Sequence, residues 1–397
     1  MGHIEALAEK VDGVFDEMVD VRRELHRHPE LGFEEVDETT LIRRRLEGLG
    51  LAELPVATPT GAAFTLTGGR PGRPVVLRAD IDALPITEGV DLPFASGVEG
   101  RMHACGHDAH TAVLLGVARV LQGRIEDLAG SYTFIFQPAE ELLSGARQMV
   151  DGGVLDGLEG GVTIGHHVTS FLPAGLVAMR PGIAMSEADS FAVVARGPGG
   201  HGAMAGPSGD VVRAICDAVG QLGAVVEDLQ YENVACVCTA GMVRAGTAPN
   251  VVPDHASLRG TLRTFTPEQR TEAFDRLRSL CDRVGNDHGV EVHLETPGNA
   301  PAVINDPAVT DTVTRLARAQ LGAEKVLSMP PVTPSDDVSV FLQRLPGCYF
   351  FVGGARSDGT SGMHHSPTFA IDEEAMRVAA RLTVGAAAAL ADTQGQR

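Results

Sequence analysis

Apolar residues recur with two different periods along this chain, and the changes of period separate helical from strand-like segments. Over about the first 50 residues they follow helical spacing, from Ile4 through Val11, Phe15 and Leu25. Short apolar runs bounded by Gly, Pro or charge then indicate buried strands at 62–66, 75–77, 132–136 and 162–164. A helical pattern at 109–121 lies between them. Strands that alternate with helices predict an α/β layer with a mostly parallel central sheet.

The order of helical and strand-like segments changes near Pro181-Gly182, and the α/β alternation resumes toward the C-terminus. Between these points the segments 190–194, 210–228, 234–243, 255–265, 267–288 and 290–294 predict the order β-α-β-β-α-β. Thr266, Pro267 and Gln269 together mark the start of the second of these helices. This order is typical of a ferredoxin-like α+β unit. We therefore predict two domains, an α/β domain formed by residues 1–185 and 299–397 and an inserted domain formed by residues 186–298.

The composition of the chain excludes some classes of partner and indicates where the protein acts. The chain has 397 residues, of which 44% are apolar, so it can bury a large core. Its formal charge of −20 argues against nucleic acid and anionic membranes as partners, because both require a basic face. The first ten residues include Glu5 and Glu9 and lack an apolar signal core, and the six cysteines show no disulfide spacing. These features predict a cytoplasmic protein.

Two short segments place metal-binding side chains close together. Residues 102–110 read Met-His-Ala-Cys-Gly-His-Asp-Ala-His, which offers a thiol and imidazoles around a glycine. Residues 136–141 end a strand-like run with two adjacent carboxylates, Glu140 and Glu141. Zinc-type ions take sulfur, imidazole and carboxylate ligands, and a carboxylate that is not a ligand can serve as a base. The two segments together indicate metal-assisted hydrolysis.

Histidine pairs elsewhere in the chain extend the ligand set. Five ligands exceed what one tetrahedral ion uses, so a two-metal site with a bridging ligand and a separation of about 3.5–4 Å fits better. Adjacent residues on an extended segment face opposite ways, so only one of His166 and His167 should reach the metals. The same holds for the pair at 364–365 if that segment is extended, as Pro367 suggests, and spacing alone does not choose the member of either pair. The candidates are Cys105, His107, Glu141, one of His166 and His167, and one of His364 and His365.

Other polar residues of the predicted insert are candidates for substrate contacts. His201 lies in a glycine-rich segment and could donate to the oxyanion that forms at a tetrahedral carbon, or it could be a surface loop residue. Asn250, Arg259 and Arg263 could bind a substrate carboxylate, for which the two-pronged guanidinium is suited. Surface positions are the alternative for the arginines.

Several longer motifs resemble the M20 metallopeptidase family, in particular its amidohydrolases of N-acyl amino acids, hippurate and indole-acetyl amino acid conjugates. The similarity extends over nearly the whole chain. One difference falls after the Gly-Gly-His motif, where many relatives have Pro-His and this chain has Ala205-Gly206. The motifs are Glu-Leu-His-Arg-His-Pro-Glu-Leu at 24–31, Leu-Arg-Ala-Asp-Ile-Asp-Ala-Leu-Pro at 77–85, Met-His-Ala-Cys-Gly-His-Asp at 102–108, Gln-Pro-Ala-Glu-Glu at 137–141, Gly-Gly-His at 199–201, Asn-Val-Val-Pro-Asp at 250–254 and His-Ser-Pro at 365–367.

The resemblance implies roles for specific residues. It implies two divalent metal ions, a water activated between them, Glu140 as general base and acid, and an inserted domain that acts as a lid and often forms a homodimer. Cys105 would bridge the ions. The implied metal ligands are Cys105, His107, Glu141, His167 and His365. The ligand types admit Zn, Co, Ni or Mn.

We therefore expect a metal-dependent amidohydrolase that releases an amino acid from its N-acyl conjugate, with Glu140 and His201 as catalytic residues and Asn250 and Arg263 as substrate contacts. Alternatives within the same family are an N-acetyl-diaminopimelate deacetylase and a small dipeptidase. Alternatives outside it are a thiol hydrolase, with Cys105 as nucleophile and His107 or His103 as base, and a metal-binding protein without catalysis.

Overall fold

The computed structural model describes residues 2–204, 206 and 209–392. Ala205, which belongs to the Ala-Gly pair that stands where many relatives have Pro-His, lies outside the described residues. The chain forms two compact units. The first contains Met1–Ala184, Ile304–Met329 and Asp337–Arg397, and the second, here called the insert unit, contains Met185–Val303 and Pro330–Asp336. The short segment Pro330–Asp336 joins the insert unit because Val332 pairs with Met185 and accepts a hydrogen bond from the amide of Ser186. The sequence pattern gave no sign of this return.

Helices and strands alternate through most of the chain. The helices are α1 Gly2–Ala8, α2 Phe15–Arg27, α3 Val36–Glu47, α4 His107–Gln122, α5 Gly145–Asp151, α6 Val211–Gln221, α7 Pro267–His288, α8 Pro307–Leu321, α9 Val338–Arg344 and α10 Glu374–Ala391. The strands are β1 Ala52–Leu54, β2 Ala62–Thr67, β3 Arg70–Asp80, β4 Ala129–Gln137, β5 Val162–Pro173, β6 Val177–Met179, β7 Gly182–Met185, β8 Glu187–Arg196, β9 Gly200–His201, β10 Gln230–Tyr231, β11 Val234–Ala235, β12 Val237–Ala245, β13 Val251–Val252, β14 His255–Thr264, β15 Glu291–Ala300, β16 Val303–Asn305, β17 Val326–Ser328 and β18 Gly347–Ala355.

An eight-stranded sheet organises the first unit, in the order β1-β2-β4-β3-β5-β18-β6-β17. The four central strands β4, β3, β5 and β18 are mutually parallel, whereas the pairs β1/β2, β2/β4 and β18/β6 are antiparallel. The predicted α/β class with a mostly parallel central sheet is therefore confirmed. Parallel strands place their carboxyl ends on one edge, where polar loops can converge.

Helix α4 is central to this unit. All its residues from His107 to Ala118 are buried, as are Val120 and Leu121, so it is covered by protein on every side. It packs against α2, α10 and β3. A helix that is apolar all round is stable only inside a core, which explains why its run of Ala, Val and Leu carries no polar stripe. Its N-terminus carries the Cys-Gly-His segment.

The insert unit has the order β8-α6-β12-β14-α7-β15, with the four strands arranged as β12-β14-β8-β15 in an antiparallel sheet. Helix α7 begins at Pro267, and the predicted box is present, since the Thr266 side chain accepts from the Gln269 amide and Gln269 bonds back. This element order is that of a ferredoxin-like unit. Its role as a lid or dimer contact stays a prediction. No helix within the described residues is long and apolar enough to cross a membrane.

Candidate metal centre

Four separate segments of the first unit bring their polar side chains to one place. Cys105 and His107 flank the start of α4, the Glu140-Glu141 pair follows β4, His167 belongs to β5, and His364-His365 precede α10. Strands β4, β3, β5 and β18 are neighbours in the sheet, so segments distant in sequence meet at this edge. Two overlapping groups share the thiol, and in each the potential ligand atoms lie within 4.8 Å of one another: Cys105, His107 and Glu141, and Cys105, His167 and His364.

Cys105 lies at the centre of the cluster. Its Sγ is 3.5 Å from His167 Nε2 and 3.6 Å from His364 Nδ1. Gly106 adopts a left-handed conformation with φ of 96°, which lets Cys105 and His107 face the same space at the first turn of α4. The positive end of the helix dipole favours a thiolate there.

His107 is held in one tautomer. Its Nδ1 donates to the carbonyl oxygen of Asp82 at 2.8 Å, so in the neutral ring Nε2 carries the lone pair. Within the described residues this buried Nε2 has no hydrogen-bond partner, although Asp80 Oδ2 lies at 3.7 Å and Glu141 Oε1 at 4.0 Å. Ligating imidazoles are oriented in this way by a hydrogen bond to their second nitrogen. The orphaned lone pair fits a metal ion.

The Glu140-Glu141 pair is oriented through its backbone. Asp82 accepts the amide of Glu140 at 3.1 Å with one carboxylate oxygen and that of Glu141 at 3.0 Å with the other. Ala139 has a positive φ of 52°, so the chain turns sharply before the pair. Glu141 thereby contacts His365 at 3.2 Å, and Glu140 is buried with 7% of its surface exposed. The two neighbouring carboxylates have different surroundings, as the division into ligand and base requires.

The histidine pairs behave differently from each other. On the extended strand β5, His167 faces Cys105, whereas His166 packs against Phe350. His364 and His365 do not alternate, because His365 has φ of 61° and is not extended. The segment is therefore not extended, and both imidazoles reach the cluster. Pro367 restricts the residue before it, Ser366, and not the two histidines.

Burial and neighbouring charges shift the pKa values of the cluster residues in opposite directions. Burial disfavours the charged form of His107, but Asp80 and the Cys105 sulfur outweigh it and raise its pKa well above the usual value. Hydrogen bonds to Cys105 and Glu141 raise the pKa of His365 to about 10. Burial, followed by the neighbouring histidines, lowers the pKa of His167 and keeps its imidazole neutral. Burial raises the pKa of the Cys105 thiol, and a bound cation would have the opposite effect.

Behind the cluster lies a buried polar network whose residues sequence reasoning did not assign. Asp80 accepts from His110 Nδ1 at 2.6 Å and from Arg78 at 2.7 Å. Arg78 also donates to Gln137 at 2.8 Å and to Asp337 at 3.3 Å. In the sequence, Asp80 and Asp82 stand at the end of the buried run of β3 and within the motif at 77–85, and neither feature assigns them a role. The network keeps negative charge close to the ligands without exposing it.

The donor set fits divalent ions of the zinc type. Sulfur, imidazole nitrogen and carboxylate oxygen are present together, and the buried His107 Nε2 has no hydrogen-bond partner among the described residues. Of the predicted ligands, the structure brings Cys105, His107, Glu141, His167 and His365 together. Their roles as ligands stay predictions.

The remaining predicted site residues belong to the insert unit. His201 is exposed, and its Nδ1 accepts from the amide of Ala203 at 3.1 Å. Asn250 and Arg259 are exposed as well, and Arg263 is partly buried and donates to the Ser335 hydroxyl. Their part in any reaction stays a prediction.

Comparisons with known proteins identify the family. The model of peptidase family M20/M25/M40 matches residues 76–389. The chain is 37% identical over 365 residues to N-acetylcysteine deacetylase of Bacillus subtilis, covering 92% of this chain and 94% of that protein. It is 37% identical over 370 residues to IAA-amino acid hydrolase ILR1-like 2 of Arabidopsis thaliana, covering 91% and 82%.

A solved structure of the same family also matches this chain. The crystal structure of the YXEP protein of Bacillus subtilis, described as a dinuclear metal-binding peptidase of the M20 family, superimposes with a TM-score of 0.81 and 33% identity. The match covers 96% of this chain and 99% of that one. The resemblance predicted from the motifs is confirmed: this chain belongs to peptidase family M20/M25/M40.

Proposed function

We propose that this protein is a metal-dependent amidohydrolase that cleaves the amide bond of N-acyl amino acids. The observation that carries the proposal is the convergence of one thiol, several imidazoles and the Glu141 carboxylate around Cys105, with Glu140 as the adjacent residue of the chain. Relatives at 37% identity are named as a deacetylase of N-acetylcysteine and a hydrolase of IAA-amino acid conjugates, and both activities break such an amide.

Two divalent ions, held by Cys105, His107, Glu141, His167 and His365, would supply an acidified water and a polarised carbonyl when bound. Glu140 removes the proton of the attacking water and later gives it to the departing amine. Its burial excludes bulk water from that transfer. Asp82 fixes the geometry, because it binds the Glu140 amide, while its carbonyl holds His107 in the tautomer with a free Nε2.

Residues of the insert unit would complete the site. We propose that His201 donates a hydrogen bond to the oxyanion and that Asn250 and Arg263, with Arg259 as a further candidate, bind the substrate carboxylate. Support comes from the residue types and the family motifs alone. A loss of activity at saturating substrate in His201→Ala, against a raised KM in Arg263→Ala, would separate the two roles.

The first test is a substrate screen. Protein purified without chelator would be incubated with acetyl, benzoyl, indole-acetyl and longer acyl amino acids, with an N-acetyl-diaminopimelate and with dipeptides, and amine release measured. We expect release from acyl amino acids that stops on chelation and returns with Zn, Co, Ni or Mn. Release from dipeptides alone would replace the proposal with a peptidase.

The second test is Glu140→Gln. This variant should keep both ions and lose about 10²–10⁴-fold in kcat, the usual contribution of a positioned acid-base group. Glu159→Gln, an exposed residue between α5 and β5, serves as the matched control and should change nothing. Near-normal turnover in Glu140→Gln would reject its assignment.

A thiol hydrolase is the competing mechanism, since Cys105 has two imidazoles within 3.6 Å. Burial raises the pKa of this thiol, which is unfavourable for a free nucleophile. A thiol hydrolase would survive chelation and be stopped by thiol-blocking reagents. The proposed enzyme should show the reverse when its metals are bound before the reagent is added.

We also propose that the insert unit closes as a lid and joins two copies of the chain, and that the protein acts in the cytoplasm. Support for association comes from β12, an edge strand with Met242 and Val243 exposed at 42% and 48%. Sedimentation of wild type and Met242→Lys would test it, with a dimer expected only for the former.

A further inference from the structure

We infer that His364 is not a metal ligand and that it donates its Nδ1–H to the Cys105 sulfur, which tunes the thiolate that would hold the metals. The inference rests on the proposed metal centre and assigns a role to the first histidine of the His-His-Ser-Pro segment. The inference distinguishes His364 from His365 by their hydrogen bonds.

The backbone of β5 decides the tautomer of His364. The amide of Ser170 donates to His364 Nε2 at 3.2 Å, and a backbone N–H can only donate. The nitrogen that receives it must offer its lone pair, so in the neutral ring the proton lies on Nδ1. The Thr169 hydroxyl, 3.1 Å from the same Nε2, can donate as well and is compatible with this state.

The protonated nitrogen faces the sulfur. His364 Nδ1 is 3.6 Å from Cys105 Sγ, within the range of an N–H···S hydrogen bond. If Nδ1 instead bound a metal, Nε2 would carry the proton and point it at the Ser170 N–H, placing two donors against each other. That arrangement costs the buried amide its partner. His167 is different, because its Nδ1 donates to the Val168 carbonyl at 2.8 Å and its Nε2 lone pair faces Cys105.

His365 remains as the ligand from this segment. Its amide is fixed to the Ala104 carbonyl at 2.9 Å, next to Cys105, and its Nε2 is 3.2 Å from Glu141. The left-handed backbone at His365 turns its ring toward the carboxylate while His364 stays against β5. The pair therefore supplies one ligand and one donor to a ligand.

A hydrogen-bond donor to a thiolate ligand withdraws electron density from the sulfur. A hydrogen bond from the surrounding protein to a metal-bound group shifts affinity or activity by about 10–100-fold. It also raises the energy needed to move an electron from sulfur to the metal. The role is therefore visible in an absorption spectrum as well as in turnover.

The test uses two nearly isosteric replacements and cobalt in place of the native metal. His364→Asn places an amide N–H near the position of Nδ1, whereas His364→Leu has the same size and no donor. Both variants, and the wild type, should bind two cobalt ions per chain. The sulfur-to-cobalt charge-transfer band should move to longer wavelength in His364→Leu and stay near the wild-type position in His364→Asn.

Other outcomes overturn the inference. Loss of one ion in both variants would show that His364 is a ligand. An unshifted band in His364→Leu would show that the hydrogen bond to sulfur is absent. His365→Leu is the comparison and should lose an ion. Because ion content and absorption do not depend on turnover, wild-type protein that binds two ions and hydrolyses no amide would overturn the proposed function while these readouts still decide the role of His364.

Discussion

At the residue scale, Asp82 connects the predicted metal site to the predicted base. Its backbone carbonyl orients His107, and its two carboxylate oxygens accept the amides of Glu140 and Glu141. Burial raises its pKa, although His107 and the Glu141 amide work against this. Few side chains can accept two adjacent amides at once, so a carboxylate is required at this position.

The isosteric change Asp82→Asn should therefore impair the site. An amide has one oxygen and one NH₂ group, and the NH₂ would face a backbone N–H in place of an acceptor. We expect metal affinity or kcat to fall by about 10–100-fold. Metal titration and steady-state kinetics measure this, and the exposed Asp91→Asn is the control. Wild-type affinity and rate in Asp82→Asn would contradict the role.

Glu35 predicts a pH dependence of stability. Burial raises its pKa to about 7, although Thr60 donates to it at 2.6 Å and the Ala139 amide at 2.9 Å. A carboxyl with a raised pKa holds its proton in the folded state after the unfolded state has lost it. Its contribution therefore weakens as pH rises from the ordinary value of 4.5 through about 7, by about 1.4 kcal/mol per unit of pKa difference.

Glu35→Gln should remove this slope. The free energy of unfolding, measured by urea at several pH values in chelator, should fall less between pH 4.5 and 7 in the variant than in the wild type. Parallel curves for the two proteins would mean that Glu35 titrates normally.

At the element scale, the turn between β4 and α5 sets the direction of the two glutamates. Gly145 begins α5 so close to the turn that a Cβ on it would lie 1.7 Å from the Pro138 carbonyl oxygen. Its amide bonds to the Ala139 carbonyl at 3.3 Å. The backbone must therefore shift if any side chain is added there.

Gly145→Ala should destabilise the protein by about 1–3 kcal/mol, the usual cost of overpacking, and should lower metal affinity by displacing Glu141. Urea unfolding and metal titration measure the two effects. Gly123→Ala is the matched control, because Gly123 ends α4 with φ of −64° and a Cβ there would meet its nearest neighbour at 3.5 Å. Equal stability of the two variants would contradict the steric argument.

At the scale of the whole molecule, the proposed ligands connect parts of the chain that are far apart in sequence. They extend from Cys105 to His365. Ions that bind only the folded chain stabilise it by RT ln(1 + [L]/Kd), which is about 2.7 kcal/mol at 100 times Kd. Removing them also takes a cation away from the largely buried Glu141 carboxylate.

Chelation should therefore lower the melting temperature, and added metal should restore it in proportion to the logarithm of its free concentration. Differential scanning calorimetry measures this. Glu140→Gln should respond like the wild type, whereas His365→Leu should respond less. A melting temperature that is independent of metal would argue against a metal centre shared by these segments.

Much of the architecture followed from local pattern. The alternation of helical and strand-like runs predicted the α/β class, and the Thr266–Gln269 box placed the start of α7 where it lies. The predicted division at residues 185 and 299 did not include Pro330–Asp336, which returns to the insert unit through contacts that no local pattern carries. The ligand types were also readable, because sulfur, imidazole and adjacent carboxylates are chemically distinctive.

By itself the sequence determined which side chains are available and the family to which the chain belongs, since these depend on residue identity and on motifs. The tertiary structure decided how those side chains divide the work. The alternation of β5 turns His167 toward Cys105 and His166 away, and the left-handed backbone at His365 lets both histidines of the second pair reach the cluster. Such choices depend on φ and on long-range hydrogen bonds, which spacing along a chain does not contain.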